Sequence, residues 1–355
     1  MRRTAVVFVT LLAGSAVAAP ADETCLIQES NVTWAAIKGA VHGTWAEAAK
    51  AAGVAAPEGD ADPFGSEAAR LVSTPRGDDL FVKGQKGVIR FPDRLSKDAR
   101  TRLNHWVMSS ARGPWVVVSM GTQDIIEEGD EEPGLPAHPE SDYTQWLIDG
   151  RTGRVVVQAA YTLPHSAGPD APEWELTDTE FTYRTYDESG TRPFADVARC
   201  AGAEGDSPQK LASPWVELGR KLTKSRPSDA WTAFTQALAF APEAAEAWSG
   251  RGYATLQLYL ERRKTSSSSI DYIAALEDFD KAVKHSTDAR FLAQVWYNIG
   301  EAHRLGCESN LPKYKREPLG KAADAYKRSL AYAEREPVIA KLAEVEALLA
   351  GLPSE

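Results

Sequence analysis

The feature that most constrains this chain is a pattern that recurs three times in its second half. Trp215-x2-Leu218-Gly219 is followed by Phe234-x2-Ala237 and then Pro242. Trp248-x3-Gly252 is followed by Ala275-x3-Phe279-x2-Ala282, and Trp296-x2-Ile299-Gly300 by Ala322-x3-Tyr326. Residues three and four apart share a helix face, so each block reads as two amphipathic helices. The glycine lets the paired helix approach closely. The alanine and the ring four residues on form a small–large pair that fills the gap. No such pair buries its own apolar face, so the pairs must stack on one another. Val338-Ile339-x2-Leu342-x4-Ala347-Leu348-Leu349 predicts a capping helix, with Gly351 and Pro353 as stop signals.

Over residues about 211–350 this pattern resembles the tetratricopeptide repeat (TPR), whose signature is W-x2-L-G-x2-Y, then A-x3-F, then P. The copies depart from it: Leu222 stands where Tyr is usual in the first, which is also one residue short, Arg251 replaces the Leu in the second, and in the third His303 stands at the Tyr position and Ser329 replaces the later Ala. The resemblance implies an all-α repeat domain over 206–355, of three helix pairs and a cap. It also implies a groove, lined by the first helix of each pair, that binds a protein or peptide partner. Carried over position by position, Arg220, Tyr253, Leu256, Tyr297, Glu301 and Arg304 line that groove. Aromatic and Arg side chains are the usual anchors at such surfaces. The lysine and asparagine set with which some relatives clamp a C-terminal carboxylate is not reproduced, because Val216 and Gln294 stand at two of its lysine positions. The second and third copies each carry about ten extra residues between their helices, judged by the usual repeat length. Either the first helix runs on or a loop projects. The loop is the weightier reading, since insertions in repeats usually map to loops.

The start of the chain reads as an export signal: Met1-Arg2-Arg3-Thr4, an uncharged apolar run from Ala5 to Val17, and an A-x-A cleavage pattern at Ala16-Val17-Ala18. No other stretch reaches 18 apolar residues, so no membrane span is expected in the mature chain. A periplasmic or secreted location follows. Beyond residue 18, residues 19–200 hold 17 basic and 29 acidic side chains, whereas residues 201–355 hold 21 of each. This net negative charge argues against a nucleic-acid partner, whose phosphates need Lys and Arg. The asymmetry points to two differently built modules, 19–205 and 206–355. Export permits disulfides. Three cysteines allow one bridge in three ways, and Cys25–Cys200 is favoured because the ends of a domain often lie close together. Three buried thiols are the alternative.

Residues 25–200 match no familiar pattern and read as α+β, an antiparallel sheet with helices on one face. One helix is expected from Asn31, with Trp34, Ile37, Val41 and Trp45 at helical spacing, and a second from Ser96 to Ser109. Strands are expected at Leu80–Val82, Val88–Phe91, Pro114–Met120, Thr144–Ile148 and Val155–Tyr161, and a final one at Phe181–Tyr186. Asp149-Gly150-Arg151-Thr152-Gly153 is the clearest hairpin turn.

No constellation carries obvious chemistry, so binding is favoured over catalysis and neither cofactor nor metal is expected. His303 and Cys307 share a helix face, but two ligands do not make a zinc site. Asp60-x-Asp62 with Gly65 resembles a calcium loop, yet Phe64 and Leu71 stand where oxygen ligands are required. The acidic segment 127–142, with His138, is a loop that could hold a cation or a basic partner. The reading is therefore an exported adaptor that binds a partner in its repeat groove. The alternative is an exported enzyme or small-ligand-binding protein with its site in residues 25–200 and the repeats as a docking arm. The acidic segment and His138 or His165 are its first suspects.

Overall fold

The computed structural model describes residues 23–27, 32–35, 37–55, 64, 66–75, 77–92, 103–124, 141–163, 173–184, 189–202, 205–262, 271–307 and 315–352. The export signal, most of the acidic segment, His138 and His165 lie outside the described residues. The chain is β-rich first and helical afterwards.

The β-rich part holds three antiparallel sheets. The central one joins β1 (Val32–Trp34), β6 (Leu103–Arg112), β7 (Trp115–Asp124), β8 (Ser141–Asp149) and β9 (Arg154–Leu163), in the order β1-β9-β8-β7-β6. A second sheet joins β2 (Ala40–His42), β3 (Ala69–Thr74), β4 (Gly77–Gly84) and β5 (Gly87–Phe91), in the order β2-β5-β4-β3. The third is β10 (Glu173–Leu176), β11 (Glu180–Arg184) and β12 (Ser189–Pro193). On one face of the central sheet Val116, Val118, Met120, Trp146 and Ile148 pack with Leu80, Val82, Ile89 and Phe91. On the other, Trp115, Val117 and Leu147 join a core with Trp174, Phe181 and Val197. The unbroken run Trp115–Val118 is thereby explained, since a strand covered on both faces has no polar side.

Two sequence expectations fail here. Asn31 does not start a helix: Trp34 lies opposite Val157 in the sheet, and the helix is the short α1 (Trp45–Ala52), which begins where Thr44 and Glu47 form a capping box. Likewise 103–109 belongs to β6, which pairs with β7 along its whole length, while 96–102 lies outside the described residues. In both segments the apolar spacing fits either period, and pairing with a buried neighbouring strand decides. The expected strands around Leu80, Val88, Trp115, Thr144 and Val155 are all present. Phe181 lies in β11, but β12 and α2 (Phe194–Cys200) follow it. The β8–β9 turn is held by Asp149, which accepts from the Arg151 amide and guanidinium, each at 2.9 Å. Gly153 takes a left-handed φ of 72°, a conformation that favours glycine.

The helical part comprises α3 (Pro208–Leu222), α4 (Pro227–Phe240), α5 (Ala245–Arg262), α6 (Asp271–Lys284), α7 (Ala289–Gly306), α8 (Arg316–Tyr332) and α9 (Glu336–Ala350). Ser207 caps α3 and Asp288 caps α7, each side chain accepting an amide from the first turn. A Cβ on Gly219 would meet the Phe234 ring at 2.8 Å, one on Gly252 the Phe279 ring at 2.9 Å, and one on Gly300 the Tyr326 ring at 2.5 Å. Each glycine thus admits the ring of its paired helix. The departures from the repeat pattern also find partners. Arg251 makes a two-pronged ion pair with Asp278 at 2.7 and 2.8 Å and lies 4.6 Å from the Trp248 ring centre. The buried Ser329 hydroxyl donates to the Ala293 carbonyl at 2.6 Å. As for the insertions, α5 runs on to Arg262 and α7 to Gly306, 18 residues each against 15 for α3. Extra helix therefore takes up part of what reads as loop in the sequence.

The two parts share one core. Trp34, Val157 and Val197 belong to the same apolar cluster as Trp215, Ala233 and Phe234. Strand β1 forms an edge of the central sheet, and α4 completes that edge. The Trp34 N–H donates to the Gln236 side-chain oxygen at 2.8 Å, and the Gln236 amide donates to the Val32 carbonyl at 3.3 Å. Cys25 and Cys200 are bridged, with Cα atoms 5.5 Å apart. On chain-entropy grounds a loop this long contributes about 5 kcal/mol. Cys307 stays a buried thiol that donates to the Arg304 carbonyl at 2.9 Å.

Candidate partner-binding face

Helices α3, α5 and α7 form the row of first helices, and α9 continues it. On α3, the exposed Arg220 pairs with Glu246 of α5 at 2.8 Å. Between the two helices lies an open cleft of about 300 Å³, lined by Ser213, Val216, Glu217, Arg220 and Glu246. Tyr253 of α5 is 36% exposed. Leu256 is not a groove residue: it is 2% exposed and packs with Phe279, Val295 and Ile299. Its helix turns it toward α6 and α7, so the expectation for this position is corrected.

On α7 the three remaining candidates are brought together, but two of them face each other. Arg304 donates to Glu301 at 2.8 and 3.3 Å, and the Tyr326 hydroxyl donates to the same carboxylate. Burial alone would raise the Glu301 pKa, but the hydrogen bonds from Arg304 and Tyr326 outweigh it and hold the carboxyl below its usual range. Burial, reinforced by the bond to Glu301, pushes the Tyr326 phenol far above its ordinary value. Tyr297 packs against Tyr326 with ring centres 5.9 Å apart. Burial and then the Glu301 charge raise its pKa. The His303 pKa is lowered, first by burial and then by Lys321.

Sequence reasoning misses three charged residues of this face, Glu246, Arg335 and Lys341. Arg335 donates to Gln294 at 2.8 Å and lies 5.8 Å from the Tyr297 ring centre. Lys341 acts electrostatically on both Tyr297 and Glu301 and pairs with Glu344 at 2.8 Å. Read as a cap, α9 gives no sign in the sequence that it extends the row. The face therefore presents two tyrosines, with Arg335 and Lys341 beside Tyr297, Arg220 on the neighbouring α3, and Glu301 ion-paired with Arg304.

The β-rich part has its own cleft, of about 400 Å³, lined by Glu67, Lys83, Gln85, Ser109, Ser110 and Gly150. Three turns meet there: the Gln85 amide donates to the Gly150 carbonyl at 3.0 Å and the Gly150 amide to the Pro114 carbonyl at 2.7 Å. The Ser109 hydroxyl donates to Glu67 at 3.0 Å and accepts the amides of Ala68 and Ala69 at 2.9 and 3.0 Å. Its proton and both lone pairs are thus committed to structure, unlike those of an activated nucleophile. The His105 side chain, like residues 127–140, His138 and His165, lies outside what is described. Among the described residues no three His, Cys, Asp or Glu side chains gather as a metal site, and no helix is long and apolar enough to cross a membrane.

These features define an array of helix pairs that follows a β-rich part. The sequence matches no protein-family model and no curated protein. Among solved structures, the chain is similar to the first TPR of Spaghetti (RPAP3) bound to HSP90 peptide SRMEEVD. That likeness is 19% identical, covers 41% of this chain and 97% of the other, and has a TM-score of 0.32. It is also similar to the N-terminal domain of stress-induced protein-1 (STI-1) from C. elegans, at 18% identity, over 40% of this chain and 99% of the other, with a TM-score of 0.30. Each is matched over less than half of this chain.

Proposed function

We propose that this chain is a protein-interaction module that holds a segment of a partner protein along α3, α5, α7 and α9. The observation that carries the reading is the pair Tyr253 and Tyr297 on successive first helices, one exposed and one half-buried, with cations on neighbouring helices. Rigid aromatic side chains beside arginines are the usual energetic anchors of an interface. The partner segment is short, because three helix pairs and one further helix make a short row. Export belongs to the same proposal. Its support is the basic–apolar–small start of the sequence and the Cys25–Cys200 bridge, which suits an oxidising compartment.

The experiment is site-specific crosslinking with the full mature chain. A photoreactive residue at Tyr253 should capture a partner, and the same residue at the exposed Ile273 of α6 should not. Tyr253→Ala with Tyr297→Ala should weaken binding of that partner at least about a hundredfold, as loss of two anchors implies. Equal labelling from both positions, or unchanged affinity in the double variant, refutes the groove reading. A second reading, a small-ligand site in the β-rich part, is favoured by the polar cleft at Ser109. Its sign would be ligand-induced stabilisation that Ser110→Trp abolishes.

A further inference from the structure

We infer that the Cys25–Cys200 bridge is a redox clasp that holds the β-rich part on the first helix pair. The clasp acts through a five-residue strap, 23–27, laid across the junction. The strap touches both sides. The Trp34 indole N–H donates to the Cys25 carbonyl at 2.8 Å. Arg192 donates to the carbonyls of Thr24, at 2.6 Å, and Leu26. Arg199 donates to the Thr24 hydroxyl at 2.6 Å. At the other end Glu23 pairs with Arg226, the residue before α4. Exposed pairs such as this last one contribute little, so the covalent link is the strongest hold on the strap.

A second observation is independent of the strap. Two residues beyond the ring of each second helix stand Gln236, Lys281 and Arg328. In the second and third pairs this residue is a cation over an indole. Lys281 Nζ is 4.4 Å from the Trp248 ring centre, and Arg328 Cζ is 4.6 Å from that of Trp296. In the first pair the equivalent residue is neutral, 1% exposed, and bonded to the Trp34 amide and the Val32 carbonyl of strand β1. The first pair is thus specifically fitted to receive a strand edge, and the strap holds that strand there through Trp34.

Reduction is a two-electron exchange with an external dithiol. One thiolate of the dithiol attacks a bridge sulfur and forms a mixed disulfide. Its second thiolate then displaces the remaining cysteine. Cys25 and Cys200 leave as thiols, each with one proton, and the dithiol becomes a disulfide. Cys25 is 0% and Cys200 5% exposed, so attack waits for the strap to lift. Once the bridge is cut, the strap and β1 detach together and α3 and α4 lose their cover. The array then loosens from that end, because each pair of a stacked array is stabilised only by its neighbours.

Hydrogen–deuterium exchange on the full mature chain tests this without any partner. The oxidised protein is compared with dithiothreitol-treated protein and with a Cys25→Ser, Cys200→Ser variant. Alkylation and mass measurement count the thiols. In both bridge-free states the amides of β1, α3 and α4 should exchange at least about tenfold faster, while α7, α8, α9 and β8 keep their protection. Gln236→Leu in the oxidised protein should raise exchange in β1 alone. Unchanged exchange at β1 and α4, or uniform acceleration across the chain, overturns the clasp. Unchanged β1 exchange in Gln236→Leu overturns the docking role of Gln236.

Discussion

Replacing Gly300 by alanine tests the packing logic of the helix pairs against a matched control in the neighbouring helix. An added Cβ at Gly300 would lie 2.5 Å from one Tyr326 ring carbon and 2.6 Å from another. The ring cannot swing away, since Tyr326 is 0% exposed and its hydroxyl is bonded to Glu301. Overpacking of this kind costs about 1–3 kcal/mol. Alanine also stabilises a helix interior by about 1 kcal/mol relative to glycine. The net expectation is a loss of up to about 2 kcal/mol. At Gly320 of α8 an added Cβ meets nothing within 4 Å, so Gly320→Ala should gain the propensity term, about 0.5–1 kcal/mol. Each kcal/mol moves the midpoint of a domain this size by about 2–4 °C. Thermal and urea unfolding of both variants, followed by circular dichroism, measures the difference. If Gly300→Ala unfolds at or above the wild-type midpoint while Gly320→Ala shows the expected gain, the close approach of α7 and α8 is not what the glycine provides.

Two further predictions rest on charged groups. Arg251→Leu restores the usual repeat residue but leaves Asp278 buried without its partner, so it should cost about 3 kcal/mol. Arg251→Leu with Asp278→Leu should recover most of that in the same urea titration. A double variant no more stable than Arg251→Leu alone would show that the pair is not coupled. Glu301 has a folded-state pKa below the 4.5 of an unperturbed glutamate. Its contribution to stability is therefore complete above that value and is lost as pH falls through the lower folded value. The stability gap between wild type and Glu301→Gln should shrink as pH is lowered below 4.5. A gap independent of pH across that range would place the bonds of Arg304 and Tyr326 elsewhere.

The repeats were legible because their signal is local. Gly219, Gly252 and Gly300 each stand four residues after a tryptophan, Trp215, Trp248 and Trp296. The resemblance to the repeat, carried over position by position, placed Arg220, Tyr253 and Tyr297 on the first helices. The same carry-over put Leu256 in the groove, whereas it is buried against Phe279, Val295 and Ile299. Strand β7 was legible from its unbroken apolar run. Strands β1 and β6 were not, because Val32–Trp34 and Leu103–Arg112 become strands only when β9 and β7 lie beside them. Glu246, Arg335 and Lys341 were missed because their importance depends on which helix lies opposite.

The sequence by itself determined that the second half stacks helix pairs, that the first half carries the excess negative charge, and that one bridge among three cysteines was feasible. These follow from periodicity, composition and counting, which need no partner in space. Only the tertiary structure decided that Arg251 stands opposite Asp278, that Arg304 is spent on Glu301, and that Gln236 closes the edge of a sheet some two hundred residues earlier in the chain. Those pairings join groups far apart in sequence. A polar side chain is read as exposed until the element that buries it and satisfies its hydrogen bonds is in place.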